Sequence, residues 1–424
     1  MNVVAASDRT ALAGVMGCGW EVSSAVAAEV AKILADVAAR GDAALVDYAR
    51  RFDDNGFDLE KLRVPIPALP EARASVPPEV ATSLELEMER LSRFHQRQRL
   101  PNITQVDEDG TRYALLRRPL RSVAVYAPRA AAATAVLMGT VPARIAGVDR
   151  VVALSPPERG ELSASLLFAC ALCSVDELYA IGGAHAIAAA AFGTASLGCV
   201  DKIVGRGSIW TTEAKRQVFG RCGIDTLAGP PELLVVADES ANSEYVVAEL
   251  LAQAERIGAS RLAVAAESRP LLEAVAQLID SLDLEALDDR AVSGAIGDRC
   301  RLIACESRDE LFEVVERFAP AYLCLHVRDA WACLERVSAA GAVFIGSATP
   351  LVAGEYLTGT NGIVPTSGCA RFSSALSLGD FVHSISVVEN SAERIRNDVP
   401  ALTALAEGDG LTYHAQAARM RSGK

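Results

Sequence analysis

Aromatic residues are scarce in this chain, 5% against a hydrophobic share of 51%, so large rings cannot carry its core. Alanine, valine and leucine carry the apolar load instead, as they do in sheets covered by helices. No uninterrupted apolar run reaches the eighteen or so residues that a membrane-spanning helix needs, so no membrane partner is expected. The first residues, Met1 to Arg9, lack a basic segment followed by an apolar core. No secretory leader is therefore expected, and the expected location is the cytoplasm. A dense lysine and arginine stripe is also missing, and the net charge is −13. So acidic a chain repels phosphate backbones, which excludes nucleic acid as a partner and leaves a small-molecule substrate.

What is present is regular. The 424 residues suffice for two or three domains with full cores. Between Ser23 and Phe52, apolar residues recur every three or four positions, and Gly41-Asp42 divides that run into two helices. Val80 to Gln98 reads as another amphipathic helix. From Ser122 onward, short apolar strands alternate with helices: Ser122–Tyr126, Arg150–Ser155 and Glu177–Ile181 are strands of a first series. Leu233–Ala237, Arg261–Ala265, Arg301–Ala304, Tyr322–Val327 and Ala342–Ile345 form a second. Such alternation predicts parallel βαβ units, hence two doubly wound α/β units parted by the Gly229-Pro230-Pro231 turn. Residues 346–368 read as a long loop at a strand's C-terminal end, where α/β folds place their sites. The tail from Leu376 reads as two short helices.

Two glycine loops each follow a strand and open a helix: Gly182-Gly183-Ala-His185, and Gly205-Arg206-Gly207-Ser208. Exposed backbone N–H groups there would suit a phosphate, although tight helix-on-sheet packing would require the same glycines. Gln253 and Arg256, three apart, share a helix face. Glu355 lies in the long loop and His414 in the tail. Glutamine, carboxylate and imidazole can bind metal, whereas arginine has no lone pair to offer. Cys170 and Cys173 sit in an apolar helical run and read as buried small hydrophobes. His326 is a strand-end histidine without an assigned role, and His95 and His383 read as surface or capping groups.

Several segments together resemble the histidinol dehydrogenase family: Arg-Arg-Pro-Leu-Arg-Ser-Val-Ala-Val-Tyr-Ala-Pro (117–128), Met-Gly-Thr-Val-Pro-Ala-Arg-Ile-Ala-Gly (138–147), Ile-Gly-Gly-Ala-His-Ala-Ile-Ala (181–188), Leu-Leu-Ala-Gln-Ala-Glu (250–255), Gly-Glu-Tyr-Leu-Thr-Gly-Thr-Asn (354–361) and Leu-Thr-Tyr-His (411–414). The match is collinear over nearly the whole chain. The resemblance implies a homodimer of subunits with two Rossmann-like domains and small N- and C-terminal extensions, intertwined so that the tail enters the partner's site. In these terms residues 1–20 are an N-terminal extension. Residues 21–122 with 234–375 form the substrate-side domain, 123–233 the nucleotide-side domain, and 376–424 the exchanged tail. The family binds zinc through Gln, His, Asp and a tail His, uses a Glu-His acid/base pair, and passes two hydrides to NAD.

Matched position by position, this chain departs from that pattern. Gln253 and His414 are kept, but the second zinc ligand falls on Arg256 and the third on Glu355. The Glu-His pair falls on Ala321 and Tyr322, and a further His on Gly362. The substrate contacts fall on Asp409 and Pro231. On the nucleotide side Tyr126 is kept, His185 stands for Gln, Ser208 for Asn and Arg129 for Gly, with Gly205 and Gly207 retained. An arginine about 4 Å from a dication costs several kcal/mol even at an effective dielectric near 20, so no metal is expected. Without the Glu-His pair, water is not activated and histidinol is not an expected substrate. The expectation is a metal-free NAD- or NADP-dependent dehydrogenase acting on another hydroxy or amino-alcohol compound in one hydride step. Arg256 would lower the phenol pKa of Tyr322 to make it a base, or would clamp a substrate carboxylate, and Gln253, Glu355, Asp409 and His414 would line the substrate. The alternative is an inactive family member that binds a ligand or regulates.

Overall fold

The structure is a computed structural model that describes residues 1–13, 15–16, 21–229, 232–256, 261–282 and 290–422. Pro231 lies outside the described residues. The chain divides into two units, residues 1–98 with 120–381, and residues 99–119 with 382–424.

The first unit holds two six-stranded sheets. One runs in the order Arg63–Val64, Glu177–Ala180, Arg150–Ser155, Ser122–Tyr126, Lys202–Val204, Gly223–Ile224. The other runs Val3–Ala5, Cys300–Ala304, Arg261–Ala266, Glu232–Ala237, Tyr322–His326, Ala342–Ile345. All pairings are parallel except that of Arg63–Val64. Parallel strands covered by helices on both faces must be apolar throughout, which is why these segments read as continuous runs. Val123 and Val125 enter one core while Ala124 and Tyr126 enter the other. Leu233 and Val235 are likewise separated from Leu234 and Val236. The two doubly wound units are thus present. Each sheet reverses its winding direction once, between Ser122–Tyr126 and Lys202–Val204, and between Glu232–Ala237 and Tyr322–His326. Ligand crevices open at the carboxyl ends of strands flanking such a reversal.

The domain boundaries need correction. Residues 1–20 are not a separate extension, because Val3–Ala5 forms the edge strand of the second sheet beside Cys300–Ala304. Residues 21–122 do not join that sheet. The helices Ser24–Arg40 and Asp42–Phe52, split at Gly41 as expected, pack on the Ser122–Tyr126 sheet, and so do Leu69–Ala74 and Pro78–Gln96 on its other face. Periodicity shows that a helix has an apolar face but not which sheet covers it.

The second unit contains a three-stranded antiparallel sheet, Val382–Glu389, Arg112–Pro119, Ile103–Val106, and the helices Ala392–Gly408 and Thr412–Arg419. The tail therefore starts at Val382, opens with a strand, and carries one helix of 17 residues. His383 is exposed there, as expected.

No helix among the described residues is long and apolar enough to cross a membrane. Cys170 and Cys173 are buried, and burial pushes the Cys173 thiol up to about 12. His95, read as a surface group, is instead fully buried, with Nδ1 at 2.9 Å from Gln98 Oε1 and Nε2 at 3.4 Å from Asn361 Nδ2.

On the same helix Glu87 is buried, and its Oε1 has no hydrogen-bond partner among the described residues. Desolvation raises its pKa from 4.5 to about 8. The unfolded chain ionises near 4.5 and the folded chain only near 8, so between those values the folded state holds the extra proton and stability falls as pH rises. Glu87→Gln is expected to raise stability at pH 8 by a few kcal/mol, since each tenfold difference in proton affinity between the folded and unfolded chains is worth about 1.4 kcal/mol. At pH 4 the same substitution should leave stability nearly unchanged. Urea unfolding at the two pH values checks this.

Candidate active site

Gln253 lies in the last turn of the helix Ser243–Ala254, and Arg256 follows just beyond the helix end, where a cation complements the partial negative charge of the C-terminus. Glu355 lies not in an irregular loop but on a short helix, Leu351–Tyr356, and is 4% exposed. The Arg256 guanidinium donates to Glu355 Oε2. A second guanidinium reaches the same carboxylate: Arg206 Nη1 lies 3.5 Å from Glu355 Oε1 and 3.4 Å from the Gly362 carbonyl. At 3.5 Å the Arg206–Glu355 contact is an ion pair and not a well-formed hydrogen bond, and Glu355 Oε1 has no hydrogen-bond partner among the described residues. Both amide atoms of Gln253, a fully buried residue, likewise have none.

Tyr322 opens the strand Tyr322–His326, is buried, and donates its hydroxyl to the Gly362 carbonyl at 3.0 Å. Burial and the Glu355 carboxylate push its phenol up, against the opposing pull of Arg206 and Arg256. The expected lowering by Arg256 is thus reversed: desolvation outweighs the neighbouring cation, and the phenol is held neutral. Arg206, Arg256, Tyr322, Gly229 and Thr366 surround a cavity of about 40 Å³, room for a few water molecules.

The first sheet's reversal point carries the nucleotide-side residues. Tyr126 ends its strand, and Gly205 follows Lys202–Val204 directly. Gly205 has φ +114°, and a Cβ there would lie 2.2 Å from the Tyr126 carbonyl oxygen, so only glycine fits. Its N–H donates to Asp225 at 2.8 Å and its carbonyl accepts from Lys215 at 2.7 Å. Lys215 and Asp225, each 1% exposed, pair with one another. Ser208 caps the next helix, its Oγ accepting from Thr211 N at 3.4 Å. The other loop is internally satisfied: Gly182 N donates to Asp53 Oδ2 at 3.0 Å, Gly183 N to the Tyr126 hydroxyl at 3.1 Å, and His185 Nε2 lies 3.0 Å from Asp53 Oδ2. Close packing also fixes Gly182, where a Cβ would meet Pro156 at 2.4 Å.

Arg256, Glu355 and Tyr322 therefore cluster in the first unit, with Gln253 buried three residues before Arg256, and Tyr126, His185, Ser208, Gly205 and Gly207 gather around one strand reversal. Asp409 caps the C-terminus of the helix Ala392–Gly408, and His414 sits on Thr412–Arg419; both are exposed in the second unit. Sequence reading missed Asp53, Lys215 and Asp225, and placed Arg206 with the nucleotide. The unusual Gly-Arg-Gly was its only signal.

The profile of the family described as Histidinol dehydrogenase matches residues 20–422. The histidinol dehydrogenase of Synechococcus sp. is 40% identical over 401 residues, covering 93% of this chain and 92% of that protein. The Deinococcus radiodurans histidinol dehydrogenase is 40% identical over 396 residues, covering 92% and 90%. Among solved structures, histidinol dehydrogenase from Elizabethkingia anophelis superposes with a TM-score of 0.88 at 27% identity, covering 99% of this chain and 98% of that one. Family profile, sequence relatives and fold agree: this chain belongs to the histidinol dehydrogenase family.

Proposed function

We propose that this protein is an NAD(P)-linked oxidoreductase that interconverts a small carboxylate-bearing alcohol and its carbonyl in one hydride step, with no zinc at the family's position. The observation that carries the reading is the convergence of Arg206 and Arg256 on Glu355. The donor set does not fit zinc. Arg256 has no lone pair, it engages the one carboxylate, and two guanidinium groups against one carboxylate leave the pocket cationic before any dication enters. Such a pocket favours an anionic substrate group, which either guanidinium can bind in exchange for Glu355.

Tyr322, held protonated, can give its proton to a carbonyl oxygen as hydride reaches the carbon, the phenolate then regaining a proton from solvent; oxidation runs the same steps in reverse, from the phenolate. No Glu-His pair activates water, so the aldehyde or ketone is the end product of oxidation. A bound nicotinamide supplies the hydride acceptor or donor. Tyr126, His185, Ser208, Gly205 and Gly207 would hold the dinucleotide at the strand reversal, beside a cavity of about 290 Å³ lined by Arg129, Ser155 and Ser163. Family membership further supports a homodimer in which the partner's tail brings Asp409 and His414 to the substrate, working in the cytoplasm. Exposed Ile385, Val388, Leu405 and Tyr413 in the second unit provide apolar surface for that partner.

One observation favours the non-catalytic reading: Asp53 and Tyr126 already occupy the N–H groups of Gly182 and Gly183. Turnover decides. Purified protein is incubated with NAD or NADP and a panel of hydroxy acids and amino alcohols that includes histidinol, since relatives about 40% identical carry that name. Reduced nicotinamide is expected with a carboxylate-bearing alcohol. Oxidation of histidinol to histidine would overturn the proposal, and silence with every substrate and both nucleotides would leave the binding protein.

A further inference from the structure

The strand Tyr322–His326 turns alternate residues to one face. Tyr322 and Cys324 enter the core under the helix Ser243–Ala254, while Leu323 and Leu325 enter the core on the far side. His326, on the same face as Cys324, ends the strand and pairs in register with Ala237, which places it at the second sheet's winding reversal. The covering helix contributes Glu249. The ligand atoms of Glu249, Cys324 and His326 all lie within 4.8 Å of one another, and all three residues are buried. His326 is 4% exposed, yet neither ring nitrogen has a hydrogen-bond partner among the described residues. A neutral imidazole always presents one donor and one acceptor, so leaving both bare in a protein interior is uncommon and calls for an explanation.

We propose that Glu249, Cys324 and His326 form a second site, distinct from the Arg256–Glu355 pocket, that binds a transition-metal dication of the zinc class. Imidazole, thiolate and carboxylate are the donors zinc takes. Tetrahedral zinc, with bonds near 2.1 Å to nitrogen and oxygen and 2.3 Å to sulfur, keeps its ligand atoms about 3.4–3.6 Å apart, so the cluster has to contract by little more than an ångström at most. Charge closes in the same set: two units from the ion against one each from thiolate and carboxylate leaves a neutral, buriable centre. Both Glu249 oxygens already accept from Leu351 N, at 3.1 and 3.2 Å, an outer contact of the kind that orients a metal-binding carboxylate. Leu351 opens the helix carrying Glu355, so the ion would fix the position of that carboxylate. Burial pushes the Glu249 carboxyl and the Cys324 thiol up and the His326 imidazole down. Without the ion the Cys324 thiol holds its proton, and binding releases it to solvent.

The full chain is expressed in zinc-supplemented medium, desalted, and assayed by elemental analysis. About one zinc per chain is expected, falling at least tenfold in Cys324→Val and in His326→Leu and persisting in Gln253→Ala. Cobalt loaded in place of zinc should give a thiolate-to-cobalt absorption band that Cys324→Val abolishes. That band, read on the unsubstituted protein, decides the matter even where a variant fails to fold. A folded chain that takes up neither metal, or cobalt bound without a thiolate band, overturns the proposal. Zinc lost from Gln253→Ala but kept in Cys324→Val and His326→Leu would place the ion in the family's own pocket, overturning this site and the metal-free reading together. Metal content is read without turnover, so this test and the substrate panel fail independently.

Discussion

Lys215→Met is expected to destabilise the protein by about 3–5 kcal/mol, because it strands the Asp225 carboxylate in the interior without its cation. Both partners are 1% exposed, so water cannot replace the lost ammonium. Lys215→Met/Asp225→Leu should recover most of the loss, since removing both charges also removes the desolvation cost of burying them. Urea unfolding of the three proteins checks the ordering. If the single variant loses less than about 1 kcal/mol, the size of a surface pair, the buried pair does not support the fold. The same pair grips Gly205 from both sides, through its N–H and its carbonyl. Nucleotide affinity of the single variant should therefore fall even at temperatures where it remains folded.

Tyr322→Phe is expected to lower turnover about 10²–10⁴-fold, the range for loss of a positioned proton donor, while nucleotide affinity stays unchanged. Deleting the hydroxyl removes one neutral hydrogen bond to the Gly362 carbonyl, worth about 1 kcal/mol of stability. A far larger kinetic loss would therefore separate a chemical role from a structural one. The pH profile adds a second readout. The phenol is raised above its ordinary 10.0, so carbonyl reduction should show no fall from this group anywhere below pH 10. A basic limb near neutrality that Tyr322→Phe abolished would instead mean that the phenol ionises easily, and the proton-donor role would be lost.

The central strands of both sheets were legible in the sequence for one reason: strands covered on two faces are apolar at nearly every position, and Ser122–Tyr126 or Glu232–Ala237 cannot be mistaken for half-exposed strands, whereas the short strands Val3–Ala5, Arg63–Val64 and Gly223–Ile224 were not read. The helices Ser24–Arg40, Asp42–Phe52 and Pro78–Gln96 were equally legible as helices, yet their sheet was not, because one apolar stripe fits either partner. The strand Val382–Glu389 escaped notice because its pairing with Arg112–Pro119 spans most of the chain and its exposed face leaves little alternation to read. His95 was misjudged for a related cause, since one of its two partners, Asn361, is 266 residues away. At the site, residue types were readable but signs were not. Whether Tyr322 is pushed up or down depends on how much solvent burial removes relative to the nearby guanidinium groups, and only coordinates provide that comparison. Arg206 was visible as an oddity in a glycine loop, but its reach to Glu355 was not.

That reach would link the two binding events of the proposed function. Arg206 sits between the two glycines of the nucleotide loop, while its guanidinium ends beside Glu355 in the other lobe's pocket. On the proposed function, a shift of that loop on dinucleotide entry would move a positive charge beside Glu355. By reciprocity the substrate anion must then tune dinucleotide affinity by the same factor. The proposed cofactor and substrate would then be thermodynamically coupled through one side chain, whichever binds first.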